Sequence, residues 1–326
     1  MAVPLPIRRL FVVGIPGLRL DEASRPWVAE AAGVILFRRN LGTPAQIRAL
    51  TRDLRAAAGH KLLIAVDQEG GRVRRLPSPP YPAYPAAGEL AARGIEAEVE
   101  AVAEEVATTL AGLGINTNLA PVLDVVDDPA TSVIRDRSFG RDPATVARLG
   151  AAWVRGSERG GVVSCLKHFP GHGATRDDSH LSLAVVKDAE ATVIARDRAP
   201  FAALIDRSIP MVMTAHVRYP AVDPLLPATL SARIVRGWLR DELGFTGVVV
   251  SDDLEMAAIA RYFSPEAVVR RFWAAGGDLL LVGEDQHYAA RLAEAACAAL
   301  DDGGLPPARV EESLARVAQL LATLAV

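Results

Sequence analysis

Carboxylates, imidazoles and cations in this sequence gather in tight groups, each directly behind an apolar run. Asp67, Gln68 and Glu69 follow LLIAV and are succeeded by Gly70, Gly71, Arg72 and Arg75. Asp124 closes NLAPVLD, with Arg135, Asp136 and Arg137 in the stretch beyond it. Lys167 and His168 end GVVSCLKH, ahead of His172, Asp177, Asp178 and His180. His216 follows IPMVMTA, and Asp252 and Asp253 end TGVVVSDD. Such a set can do acid–base and nucleophilic chemistry. An ionised carboxylate attacks or stabilises positive charge, an imidazole moves protons near neutral pH, and fixed cations bind polar groups.

Each group also has a duller explanation. Asp and Gly are common turn and cap residues, so Asp67 or Asp252 alone reads as structural. His216 behind an apolar run reads as a satisfied core histidine, and Lys167 as a surface residue, although directly after VVSCL it is not expected to be fully solvated. The cluster of His168, His172 and His180 is harder to dismiss, because loops of this kind carry function. Metal binding is the first alternative for it. His168 and His172 are four apart, but Pro170 and Gly171 lie between them and break any helix that would aim both rings at one ion. No ligand spacing is recognisable, and Gly70-Gly71 is neither a P-loop nor a dinucleotide fingerprint. No metal and no cofactor is expected.

The elements that must position these groups repeat as apolar run, then amphipathic stretch. The runs are 9–17, 33–39, 61–70, 114–126, 161–169, 209–217, 246–253 and 278–283. They are continuously apolar, rich in Val, Ile and Leu, and so read as parallel strands buried on both faces. Between them, Thr43-Pro44, Asp142-Pro143 and Ser264-Pro265 each pair an N-cap residue with proline at the first helical position. Gln46, three after Thr43, would complete a capping box. Ile47, Leu50 and Leu54, and Val146, Leu149 and Trp153, then follow helical spacing. Val310, Leu314, Val317, Leu321 and Leu324 mark a last helix packed on the body. Eight such units predict an α/β fold, a (β/α)8 TIM barrel of one domain (1–326) with a C-terminal helical extension. A doubly wound open sheet is the competitor. The proline-rich 77–85 reads as a rigid surface loop. In a barrel the C-terminal strand ends share one face, so the reactive groups converge on one rim and the opposite rim is expected to be bland.

The chain has 326 residues, 50% hydrophobic and 23% charged, which is a globular composition. A net charge of −3 gives no electrostatic reason to expect nucleic acid or an anionic membrane as partner. Two cysteines, Cys165 and Cys297, fit a reducing compartment. Leu10 to Ile15 is too short to span a membrane. Arg8 and Arg9 ahead of it resemble the start of a signal peptide, but no small-residue cleavage site follows, so a cytoplasmic protein is expected.

The segment KHFPGHGATRDDSH (167–180) resembles the signature of the β-N-acetylglucosaminidases of glycoside hydrolase family 3, the NagZ type. VDQEGGRVRR (66–75), NLAPVLDV (118–125), DRSFGRDP (136–143), MTAHVRYP (213–220) and SDDLEM (251–256) match the same family in the same order, across most of the chain. One departure is visible: the family often has proline soon after the DSH triplet, where this chain reads LSLA (181–184).

The resemblance implies a retaining exo-β-N-acetylglucosaminidase. Asp252 would be the nucleophile, with Asp253 turned to the opposite side of an extended strand. His180 would be the general acid/base, oriented by Asp178. Asp67, Arg75, Arg137, Lys167 and His168 would hold the hydroxyls and N-acetyl group of the bound glycoside. Lys167 and the arginines are expected to keep Asp252 ionised, and Asp178 to support the protonated form of His180. Gly171 and Gly173 suggest that His180 swings in after substrate binds. The natural substrates implied are cell-wall muropeptides in peptidoglycan recycling. Two alternatives stand beside this: a phosphorylase passing the glycosyl group to inorganic phosphate, since a histidine acid/base does not repel phosphate, and a non-catalytic sugar-binding barrel.

Overall fold

A computed structural model describes residues 6–128, 130–175, 183–205 and 209–324. Each of the eight apolar runs contains a strand: β1 (Phe11–Gly14), β2 (Gly33–Leu36), β3 (Leu63–Val66), β4 (Thr117–Asn118), β5 (Val163–Phe169), β6 (Met211–Thr214), β7 (Val248–Asp253) and β8 (Leu279–Val282). Every pairing is parallel and between chain neighbours, and β8 returns to β1, with Phe11 opposite Leu280. The sheet is therefore a closed barrel, and the open-sheet alternative is excluded.

On five of the strands, alternate residues go to different cores. Ile35, Ala65, Cys165, Met213 and Val250 join one buried cluster, while their neighbours Val34, Ile64, Leu166, Val212 and Val249 join another. The second is completed by helix residues such as Ile47, Leu50 and Leu54. Both faces of each strand are covered, which is why the runs read as continuously apolar. Truncating Leu50 to alanine would cost about 2–5 kcal/mol in such packing.

Thr43, Asp142 and Ser264 accept the backbone N–H three residues on, at the starts of helices Pro44–Ala58, Pro143–Arg159 and Pro265–Ala274. The capping box does not form: the Gln46 side-chain oxygen takes the N–H of Gly42, at 2.8 Å, rather than that of Thr43. The last helix, Pro307–Thr323, packs on the body through Val310, Val317, Leu320 and Leu321. Strand β4 is much shorter than the run 114–126: the N–H of Ala120 turns back to the Asn118 carbonyl, Pro121 has none to offer, and pairing resumes only at Val122, opposite Lys167. A two-residue parallel pair outside the barrel, Ala184–Val185 with Val217–Arg218, is not announced by the sequence pattern. Among the described residues no helix is long and apolar enough to cross a membrane.

The rim at the N-terminal strand ends is not bland. Asp278, just before β8, is fully buried among Arg240, Arg309 and Arg316. Its charge was hidden in the sequence because Arg309 and Arg316 arrive from the last helix.

Candidate active site

Two strand irregularities shape the opposite rim. On β5, Leu166 pairs with Val212 but Phe169 with Thr214, so Lys167 and His168 together oppose one residue of β6. On β7, Val250 pairs with Leu279 but Asp253 with Leu281, so Ser251 and Asp252 together oppose one residue of β8. An extra residue of this kind bends the strand and re-aims its side chains. As a result the consecutive residues Lys167 and His168 line one cavity, and so do Asp252 and Asp253. The expectation that Asp253 turns to the opposite side assumed a regular strand, and the bulge overturns it.

The third contribution comes from the turn after β3. Gly70 and Gly71 have φ of +96° and +52°, and a Cβ on Gly70 would meet the Pro85 carbonyl oxygen at 2.2 Å. Only glycine allows that turn, which carries Arg72 and Arg75 back across the strand ends. The cavity they complete has a volume of about 240 Å³, and its wall includes Asp67, Arg75, Arg137, Lys167, His168 and Asp252. All the sequence-predicted site residues that the structure describes are thus brought together. Asp178 and His180 lie outside the described residues.

The cations are held by two acids. Lys167 Nζ lies 2.7 Å from Asp67 and 2.6 Å from Glu69. Arg137 grips Glu69 with two bonds, of 2.7 and 2.8 Å, and Arg75 reaches Asp67 at 3.4 Å. Burial alone would discharge the Lys167 ammonium, but Asp67 and Glu69 outweigh it and raise its pKa. Burial likewise opposes the Glu69 carboxylate, yet Arg137 and Lys167 hold it well below the usual range. Asp67, Lys167 and Arg75 therefore present fixed, charged hydrogen-bonding groups to whatever enters.

Asp252 is placed and kept ionised differently. Burial would raise its pKa, but His168, His216, the N–H of Asp253 and Lys167 pull it down to about 2. The N–H of Asp253 donates to its Oδ1 at 2.8 Å. The expected help from Lys167 is present, though the two histidines act ahead of it and Arg137 is committed to Glu69. Asp253 goes the other way. Burial and the charges of Glu255 and Asp252 push it up to about 7, although its Oδ1 accepts from the N–H groups of Glu255 and Gly283. Near neutral pH Asp252 is thus ionised, while its neighbour Asp253 is close to the midpoint of its titration.

The histidines divide their work. His168 gives Nδ1–H to Asp124 Oδ2 at 2.7 Å, which leaves Nε2 for a ligand. Asp124 Oδ1 also takes the backbone N–H groups of His168 and His172, at 3.1 and 2.7 Å, and so anchors the start of the loop beyond β5. His172 is buried and lowered to about 4, hence neutral. His216 is the core histidine of the duller reading: fully buried, with Nδ1 at Thr229 Oγ1 and Nε2 at the Asp253 carbonyl. Glu69, Asp124 and Asp253 stood on the predicted rim without an assigned role. Phe37 was missed altogether. It was read as part of strand β2, but lies just past that strand's end, lines the cavity and stacks under Arg39, 4.7 Å from ring centre to guanidinium carbon.

The family model described as the glycosyl hydrolase family 3 N-terminal domain matches residues 7–320. The chain belongs to glycosyl hydrolase family 3. A beta-hexosaminidase of Xylella fastidiosa (strain M23) is 40% identical over 281 residues, which cover 84% of this chain and 83% of that one. Beta-hexosaminidase A of Pseudoalteromonas piscicida is 37% identical over 89% of this chain, and the match spans 53% of that longer protein. Among solved structures, a glycoside hydrolase family 3 beta-N-acetylglucosaminidase from Paenibacillus sp. str. FPU-7 superposes with a TM-score of 0.94 at 38% identity, covering all of this chain and 64% of that one. A beta-N-acetylhexosaminidase from Beutenbergia cavernae DSM 12333 superposes with a TM-score of 0.89 at 32% identity, covering 97% of each. This family-3 chain therefore spans about half the length of some relatives and nearly the whole of others.

Proposed function

We propose that this family-3 chain is a retaining exo-β-N-acetylglucosaminidase. One observation carries the reading: an ionised carboxylate, Asp252, at a bulged strand end inside a cavity of about 240 Å³ walled by Asp67, Arg75, Arg137, Lys167 and His168. The volume suits one sugar ring, hence a terminal residue. Asp252 attacks the anomeric carbon and forms a glycosyl ester as the bond to the leaving oxygen breaks. His180, oriented by Asp178, protonates that oxygen and then takes a proton from the water that hydrolyses the ester. A carboxylate held near 2 remains ionised at every pH at which imidazole can do this. The buried cations and acids bind the ring hydroxyls and N-acetyl group, His168 through Nε2. The fold, the site and the relatives named beta-hexosaminidase all support this assignment. Muropeptides released in cytoplasmic peptidoglycan recycling are its proposed natural substrates, taken without a metal or cofactor.

The test is release of p-nitrophenol from its β-N-acetylglucosaminide, with EDTA present, with and without phosphate, and the anomer of the sugar read by NMR. β-N-acetylglucosamine as first product, indifferent to EDTA and phosphate, is the expected result. Sugar 1-phosphate formed faster than free sugar would make the protein a phosphorylase. No turnover under either condition would leave only a sugar-binding barrel.

A further inference from the structure

The cavity that holds Asp252 has a neighbour. Arg72 lines both it and a wider cavity of about 670 Å³, bounded by helix Ala87–Arg93 and by residues 135–140. The partition between them is fixed. Arg72 Nε donates to Asp136 Oδ1 at 3.0 Å, and Nη2 donates to the carbonyls of Val133 and Ile134 at 2.7 and 3.0 Å. Arg72, Asp136 and Arg135 are the three charged residues of the wider cavity's wall. The first two are spent on each other, which leaves Arg135, exposed and without an ion pair or side-chain hydrogen bond among the described residues.

Its backbone is the second observation. Arg135 has φ of +50°, and it is the one non-glycine residue with positive φ among those described. A Cβ crowds the backbone in that region, and glycine would occupy it freely. The chain nevertheless puts a long cation there, unpaired, over a cavity that adjoins the catalytic one. Strain of this kind persists where the surroundings hold it and the side chain has a use.

We propose that the wider cavity receives the leaving-group side of the substrate, and that Arg135 binds a carboxylate on it. The inference rests on the exo-glycosidase reading and adds the residue that selects the acidic part of the muropeptide leaving group. The Asp252 cavity suits a single sugar ring, so the group attached at the anomeric carbon extends past the partition at Arg72. An uncompensated guanidinium in its path selects an acidic group, and a planar carboxylate matches it with two parallel bonds. An aglycone bearing an acidic peptide has that chemistry, and a neutral sugar does not.

The experiment compares two disaccharide substrates, N-acetylglucosaminyl-anhydromuramoyl tripeptide and the same compound with its carboxylates amidated, with the p-nitrophenyl glycoside run alongside. The readout is the ratio of kcat/KM, acid over amide, in the wild type, Arg135→Gly, Arg135→Lys and Arg135→Glu. Glycine suits the backbone at this position, so Arg135→Gly is expected to fold. The ratio should fall about two- to fivefold in Arg135→Gly, as expected for loss of a solvent-exposed ion pair. It should fall further in Arg135→Glu and recover in part in Arg135→Lys. An unchanged ratio overturns the proposal. So does a wild type that cleaves the p-nitrophenyl glycoside and neither disaccharide. If the wild type cleaves none of the three, the glycosidase reading itself falls, and the subsite with it.

Discussion

At the C-terminal end of the barrel, Lys167 and Arg137 are packed against Asp67 and Glu69. At the N-terminal end, Asp278 is packed among Arg240, Arg309 and Arg316. Both clusters are buried, both join several elements, and both contain charge-assisted bonds shorter than 3 Å. What separates them is the remaining capacity. Asp278 Oδ1 accepts from Arg309, Ser313 and Arg316, and Oδ2 from Arg240 and the N–H of Val249. The other donors of Arg240 go to the carbonyls of Phe245, Gly247 and Gly276. Neither Asp278 nor Arg240 has a bond left for a ligand. At the other end the cluster opens onto a cavity, and Arg75 Nε is buried without a partner among the described residues. A buried charge cluster by itself therefore says little about function. A cluster with unspent donors beside a cavity says a great deal.

The comparison is tested hardest at Asp252. Asp252→Ala should reduce turnover on the order of 10⁴-fold, as loss of a catalytic carboxylate does, while the protein still binds N-acetylglucosamine in calorimetry. Retained turnover would remove the open rim from the chemistry. Next in size is the closed cluster. Asp278→Ala leaves three guanidiniums without their acid and should cost about 3–5 kcal/mol in urea unfolding, with kcat of the folded fraction unchanged. Glu69→Gln breaks the open cluster and should raise KM as well as lower stability. If Asp278→Ala raised KM too, the division between the two ends would fail.

The two neighbouring carboxyls predict opposite effects of pH on stability. Asp252 is depressed, to about 2, so its stabilisation is complete above the unfolded value of 3.8 and is lost as pH falls through 2. Asp253 is raised, to about 7, so between 3.8 and 7 the folded protein holds a proton that the unfolded chain has released. Stability must then decline as pH rises across that window, and level off above it. Urea titrations of Asp253→Asn and wild type between pH 4 and pH 8 should show the downward slope reduced in the variant. Equal slopes would mean that Asp253 ionises normally.

The barrel was legible in the sequence because its strands are buried on both faces and several of its helices begin with a cap that needs only local residues, as Thr43, Asp142 and Ser264 show. The open rim was legible for a related reason: Asp67, Lys167 and Asp252 each sit at the end of an apolar run. What a linear pattern cannot express is a register shift. The bulges that turn Lys167 and His168, and Asp252 and Asp253, into one cavity depend on the pairing partner. Nor can it express a cluster assembled from distant segments. Asp278 and Arg309 are brought together by the docking of the final helix.

The smallest expected effect separates positioning from chemistry within the open rim. His216 is buried and its pKa is lowered by that burial, so the ring is neutral. A neutral ring donates from one nitrogen only. Nε2 faces the Asp253 carbonyl, an obligate acceptor at 3.0 Å, and therefore carries the hydrogen. Nδ1 can then accept from Thr229 Oγ1 at 2.8 Å, whose single hydrogen also faces the Ala215 carbonyl at 3.0 Å, and Thr214 Oγ1 can donate in turn to Thr229 at 3.0 Å. The chain Thr214, Thr229, His216 thus fixes the backbone at the bulge that aims Asp252, without touching the substrate. Thr229→Val keeps the shape and removes the donor, so it should lower kcat a few-fold, leave KM unchanged and not shift the acidic limb of the pH profile. Thr229→Ser should restore most of the rate. A change in KM, or no rescue by serine, would place Thr229 in packing alone.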